Sequence, residues 1–126
     1  MPMTRIALRR GHPDSYRQTL MNQVYQAMRD TFDVPVGDLF VMLTEHDEAQ
    51  FAFGRHFMDI ARSDDLVMIQ ITANNTRTVE TKKALYRRIV ERLADSPGIR
   101  PEDVLINLVE VPKENWSFGN GVAQLA

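Results

Sequence analysis

The sequence predicts an α/β fold of two fused β-α-β units, about 2–45 and 66–111, forming a four-stranded sheet with two helices on one face. Three observations predict it. An apolar register repeats along the chain, strand and helix periods alternate within each copy, and turn formers separate the periods. DVPVGDLFVMLTE (33–45) lies over GIRPEDVLINLVE (98–110) without a gap, matching Asp38 with Asp103 and Glu45 with Glu110. Carried back at the same offset, Ile6 meets Ile71, Leu20 meets Leu85, Val24 meets Ile89 and Met28 meets Leu93.

In the first unit, Ile6 and Leu8 alternate with polar neighbours over Thr4 to Arg9, the period of a strand. Gly11-His12-Pro13 breaks that strand, and Pro13 suits the first turn of a helix. Tyr16, Leu20, Val24, Ala27 and Met28 form its apolar stripe. Val34 to Asp38 reads as a turn, and the run Leu39 to Leu43 as the second strand. The second unit repeats the plan. Leu66 to Ala73 is a strand, Thr78 an N-cap with Glu80 in the first helical turn, and Leu85, Tyr86, Ile89 and Leu93 a stripe. Pro97-Gly98 ends the helix, and Val104 to Val111 closes the unit. A helical crossover within each unit implies parallel strands.

Residues 46–65 join the units, and their Phe51, Phe53, Phe57, Met58 and Ile60 suggest an ordered excursion. The tail, 112–126, carries Trp116, Phe118 and the turn formers Gly119-Asn120-Gly121, suiting a short hairpin or an arm onto a neighbour. Two helices on one face leave the other face bare. Because Leu39–Leu43 and Leu66–Ile69 are apolar at consecutive positions, both faces are expected to be buried, the second by self-association.

Composition narrows the function. Of 126 residues, 44% are hydrophobic and 25% charged, enough to bury one core. Fifteen Lys and Arg against seventeen Asp and Glu leave a formal charge of −2, with no broad basic face for nucleic acid or an anionic membrane. The absence of cysteine excludes disulfides, thiol catalysis and Cys-ligated metals. No apolar run suits a signal peptide or a bilayer span, so a soluble, cytoplasmic protein is expected.

Pro2 is the leading catalytic candidate. Methionine before a small residue is generally trimmed, which would leave a secondary amine at the start of a strand. Such an amine is a base only when neutral, and burial or nearby cations favour that form. Tuned close to neutral pH, it can lift a proton α to a carbonyl and return it elsewhere. The alternative is a plain start to an edge strand. With Met1 retained, Pro2 nitrogen is an amide without a basic lone pair.

Met1-Pro2 before a strand, two β-α-β units, VP-x-x-D before the second strand and NWSFGNG near the end resemble the tautomerase superfamily. The chain is most similar to its malonate semialdehyde decarboxylase-like branch, with the 4-oxalocrotonate tautomerase/MIF-like fold. The resemblance implies a cofactor-independent homotrimer acting on a small carboxylate through an amino-terminal proline. It places Pro2 as general base, or as general acid when protonated, and Arg77 as the cation that grips a substrate carboxylate and stabilises an enolate. A cation at a helix N-terminus opposes the macrodipole, and a bound anion accounts for it better than chance does. Asp38 matches an aspartate that the decarboxylases use beside the proline. Asp103 holds the same place in a unit without a free amine, so turn closure is the alternative for both. Trp116 and Phe118 match tail aromatics that wall the pocket; core or interface packing is their other reading.

Two departures matter. The decarboxylases carry an Arg-x-Arg pair where this chain reads Asn75-Thr76-Arg77, so Asn75 keeps a substrate-binding place without its charge. Met28 and Asn107 stand where the cis-3-chloroacrylic acid dehalogenases have histidine and tyrosine, which argues against dehalogenation. Arg9 and Arg10 are secondary candidates to replace the missing cation across a subunit boundary, with solvated charge as the commoner explanation. His12, His46 and His56 match no recognised metal spacing, and no metal site is expected. Keto–enol proton transfer on a small 2-oxo acid is therefore the expected activity. Semialdehyde decarboxylation or hydration, and a trimeric homologue without turnover, are the alternatives.

Overall fold

Thr4, Ile6 and Leu8 point to one side of the chain and Met3, Arg5 and Ala7 to the other, which makes Met3–Arg9 a half-buried strand, β1. The computed structural model describes residues 1–126. Pro13 is the N-cap of helix α1, Asp14–Thr31, and makes no side-chain cap. The predicted stripe is inside: Leu20, Val24, Ala27 and Met28 are buried, joined by Tyr25.

Strand β2 is Val41–His46 and not the run from Leu39. Thr4 N–H donates to the Phe40 carbonyl at 2.9 Å, and the ladder with β1 then begins at Thr4 opposite Val41. Leu39 and Phe40 thus sit in the turn before the strand, 51% and 55% exposed. The connector is ordered by 3-10 turns at Glu48–Gln50 and Phe57–Asp59, with Phe51 buried between them.

Strand β3 is Val67–Asn74 and helix α2 Val79–Asp95. Thr78 Oγ1 accepts the Thr81 N–H at 3.2 Å, the expected cap. Strand β4, Val104–Val111, follows a 3-10 turn at Pro101–Asp103.

The strand order is β2-β1-β3-β4, with β1/β2 and β3/β4 parallel and β1/β3 antiparallel. Both helices cover the same face, where Ile6, Leu8, Ile69 and Ile71 meet Leu20, Val24, Met28, Leu85, Ile89 and Leu93 in one core. The opposite face is open. It is not the continuous apolar surface that the runs suggested: Arg5, Thr44, Gln70 and Asn107 interleave with Ala7, Met42, Met68 and Leu105 around a depression of about 330 Å³.

The tail forms no hairpin. After a 3-10 turn at Lys113–Asn115, Trp116 to Phe118 lie against the chain's own amino end. The repeat also runs further than the paired strands. Phe51-Ala52-Phe53-Gly54 follows the first unit as Trp116-Ser117-Phe118-Gly119 follows the second, and each is preceded by a 3-10 turn.

Candidate active site

Antiparallel pairing of Met3 with Thr72 sets the start of β1 beside the end of β3. The amino end therefore meets the Asn75–Arg77 turn, and β2's entry turn brings in Asp38 and Phe40. Pro2, Met3, Asp38 and Phe40, with Trp116, Ser117 and Phe118 of the returning tail, line an open cavity of about 170 Å³. Pro2 is buried. Trp116 and Phe118 stack with centroids 5.5 Å apart, and the Trp116 indole nitrogen is buried without a partner.

Asp38 is 6% exposed, and neither carboxylate oxygen accepts a hydrogen bond. Its nearest cation is the Met1 amine, 3.9 Å from Oδ2. Burial pushes the Asp38 carboxyl above the usual carboxylate range, against the smaller pull of the amine and of Arg77. The amine is held below its ordinary value: desolvation lowers it, Asp38 opposes this, and Arg77 adds to it. The Met1 amine thus gives up its proton more readily than an exposed amino terminus does.

Arg77 stands in the turn ahead of α2. Its Nη2 donates to the Phe32 carbonyl at 2.8 Å, and its guanidinium lies 4.5 Å from the Phe32 ring centroid. In the single chain it lines a neighbouring polar cleft with Thr31, Asp33, Thr76, Thr78 and Thr81, not the wall of the Pro2 cavity. Its charge nevertheless acts on both the amine and Asp38. Asn75 is exposed, and its backbone N–H donates to the Val111 carbonyl at 3.1 Å, tying the turn to β4. The structure thus gathers Pro2, Asp38, Trp116 and Phe118 in one cavity, with Arg77 beside it and Asn75 at the surface.

Arg9 and Arg10 lie at the far end of β1. Arg9 pairs with Asp64 at 2.9 Å, and Arg10 with Asp47 at 2.9 Å. His12 stacks on Tyr16 and faces Asp65 at 3.4 Å; His46 stacks on Phe51. Sequence reasoning missed Met3, Phe40 and Ser117 as cavity walls. Phe40 carried a usable signal, since a large aromatic in a turn has no place in the core.

The profile of a family described as "Tautomerase enzyme" matches residues 38–119. The chain belongs to the tautomerase family. It is 38% identical over 125 residues to "Probable tautomerase YusQ" of Bacillus subtilis (strain 168), covering 99% of this chain and 98% of that protein. It is 32% identical to "Probable tautomerase YrdN" of the same organism, covering 98% and 95%. Among solved structures, a malonate semialdehyde decarboxylase superposes with a TM-score of 0.92 at 28% identity, covering 98% of this chain and 95% of that one. The FG41 malonate semialdehyde decarboxylase inhibited by 3-bromopropiolate superposes at 0.91 and 31% identity, covering 97% and 92%. A fused 4-OT, a symmetric trimer, shares the fold at a TM-score of 0.81 and 20% identity, covering 98% and 97%. This tautomerase is an isomerase of the malonate semialdehyde decarboxylase-like branch. None of its helices is long and apolar enough to cross a membrane.

Proposed function

We propose that this tautomerase moves a proton between oxygen and carbon of a small 2-oxo acid, with the imino nitrogen of Pro2 as general base. The observation that carries this reading is Pro2, buried in a mostly apolar cavity beside a carboxylate with no hydrogen bond. Removal of Met1 passes the basic nitrogen to Pro2. In ketonisation that neutral nitrogen takes the enol hydroxyl proton, the oxygen pair closes to C=O, and the C=C pair takes the proton back at carbon. Arg77 swings from Phe32 to hold the substrate carboxylate and the developing enolate. Asp38 orients substrate or water and holds the protonated base. Trp116 and Phe118 exclude solvent, and Asn75 offers a neutral amide at the rim. The reaction needs no cofactor.

The functional unit is a homotrimer. The open face of the sheet, with Met42 and Leu105 each 40% exposed, supports this, as does the trimeric fused 4-OT with the same fold. Pro2→Ala is expected to cut ketonisation of phenylenolpyruvate by about a hundredfold or more while the assembly persists. Undiminished turnover, or a mass showing Met1 retained in protein from its natural host, would overturn the mechanism.

The unpartnered Asp38 beside the amine also favours a second reading, decarboxylation or hydration of a three-carbon acid as in the semialdehyde decarboxylases that the chain resembles. Asn75 in place of an arginine weighs against it. Carbon dioxide release from malonate semialdehyde separates the two readings.

A further inference from the structure

Asp38 raises a positional question. A buried carboxylate without hydrogen bonds is not held by its own oxygens, so its place depends on the backbone beneath it. That backbone is a tight corner. Asp38 N–H donates to the Pro35 carbonyl at 3.1 Å, and Gly37 adopts φ +91°, a conformation that favours glycine. One side chain reaches the corner from elsewhere in the fold. Tyr25, on the inner face of α1 and 7% exposed, accepts the Gly37 N–H on its hydroxyl at 3.1 Å.

We infer that Tyr25 is a positioning residue for the reaction, its hydroxyl pinning the Gly37–Asp38 corner so that the carboxylate stays close to the amino end. The inference rests on the role proposed above for Asp38. The second unit supports it by contrast. The residue matching Tyr25 there is Val90, and Asp103 is held directly by Ser63, so its corner has no tyrosine to need. A buried tyrosine hydroxyl needs a polar partner wherever it sits, and the partner here is the N–H of Gly37, the residue before Asp38 in the corner that carries its carboxylate. The charged groups facing Asp38 are the amine and Arg77; Asp33 and Glu110 act on Arg77 in turn.

Tyr25→Phe keeps the ring and removes the acceptor. It is expected to lower kcat/KM for phenylenolpyruvate about five- to tenfold, the worth of one neutral hydrogen bond. The Asp38 carboxyl carbon, followed by NMR, should titrate at lower pH as water enters the loosened corner. Added to Asp38→Asn, the same change should have no further effect on turnover. Unchanged kcat/KM, an unmoved Asp38 titration, or an equal loss when Tyr25→Phe is combined with Asp38→Asn would each overturn the inference. If Tyr25→Phe does not fold, amide exchange in the wild type decides: a Gly37 amide exchanging as fast as an exposed loop overturns it, and a protected one supports it. Should Pro2→Ala prove fully active, the proposed chemistry fails, while the titration still reads whether Tyr25 places Asp38.

Discussion

Asp38 and Asp103 occupy matching corners of the two units, and both are buried, yet their surroundings differ. Asp103 Oδ1 accepts the Ser63 N–H at 2.7 Å, and its Oδ2 accepts the Ser63 hydroxyl at 2.5 Å. Asp38 has neither donor, and an amine 3.9 Å away is its nearest cation. The connector leading into β3 supplies Ser63; the corresponding space ahead of β1 holds the amino end. A buried carboxylate that is fully hydrogen-bonded stabilises its corner, whereas one left unpartnered is a standing cost. The difference teaches that one repeated aspartate is tied to the connector by both oxygens while its twin keeps both oxygens without a donor.

The comparison breaks most sharply at Asp103. Asp103→Ala removes both acceptors and leaves the half-buried Ser63 N–H and hydroxyl without their carboxylate, so stability should fall by about 3 kcal/mol in denaturant unfolding. Turnover per folded molecule should remain at the wild-type level. A large loss of kcat in a well-folded Asp103→Ala variant would mean that the two aspartates share a catalytic role after all.

Asp38→Asn should do the reverse. Ketonisation is expected to fall about a hundredfold, equivalent to about 2.7 kcal/mol of barrier, as the base loses its counter-charge. Stability should hold or rise. Burial raises the folded-state pKa of Asp38 above its unfolded value, so the native chain binds the extra proton between the two values. Stability from this group therefore falls as pH rises from the unfolded pKa through the folded one. The melting temperature of Asp38→Asn should thus gain on the wild type as pH passes from acid to neutral. A variant that loses ground over that interval would show that Asp38 is held by partners, as Asp103 is.

The architecture was readable because its signals are local. Ile6 and Leu8 alternate, the stripe from Leu20 to Met28 keeps helical spacing, and Thr78 caps through its own neighbour Thr81. Strand β4 runs over the residues expected of it, while β2 starts later because the hydrogen bond from Thr4 to Phe40, not hydrophobicity, marks its entry. At the site, Pro2, Trp116 and Phe118 could be named from their motifs. The unequal hydrogen bonding of Asp38 and Asp103 could not, since Ser63 reaches Asp103 only through the tertiary path of the connector. Nor could the placing of Arg77 on Phe32, which depends on how α1 ends against the turn before α2. Periodicity reports which face is buried; it carries no record of which polar atoms meet there.

The smallest effect tests how the contrast is built. Ser63→Ala removes the hydroxyl on Asp103 Oδ2 and leaves the backbone donor on Oδ1, so it moves Asp103 half-way to the state of Asp38. The same hydroxyl accepts the Asp65 N–H at 3.2 Å, a weaker contact whose loss water can replace because Asp65 is exposed. The expected cost is about 1–2 kcal/mol, a fall of roughly 4–8 °C in Tm for a domain of this size, with no change in kcat. A loss as large as that of Asp103→Ala would assign the corner's stability to the hydroxyl alone. No loss at all would mean that the backbone N–H suffices, and that the gap between the two corners rests on a single donor.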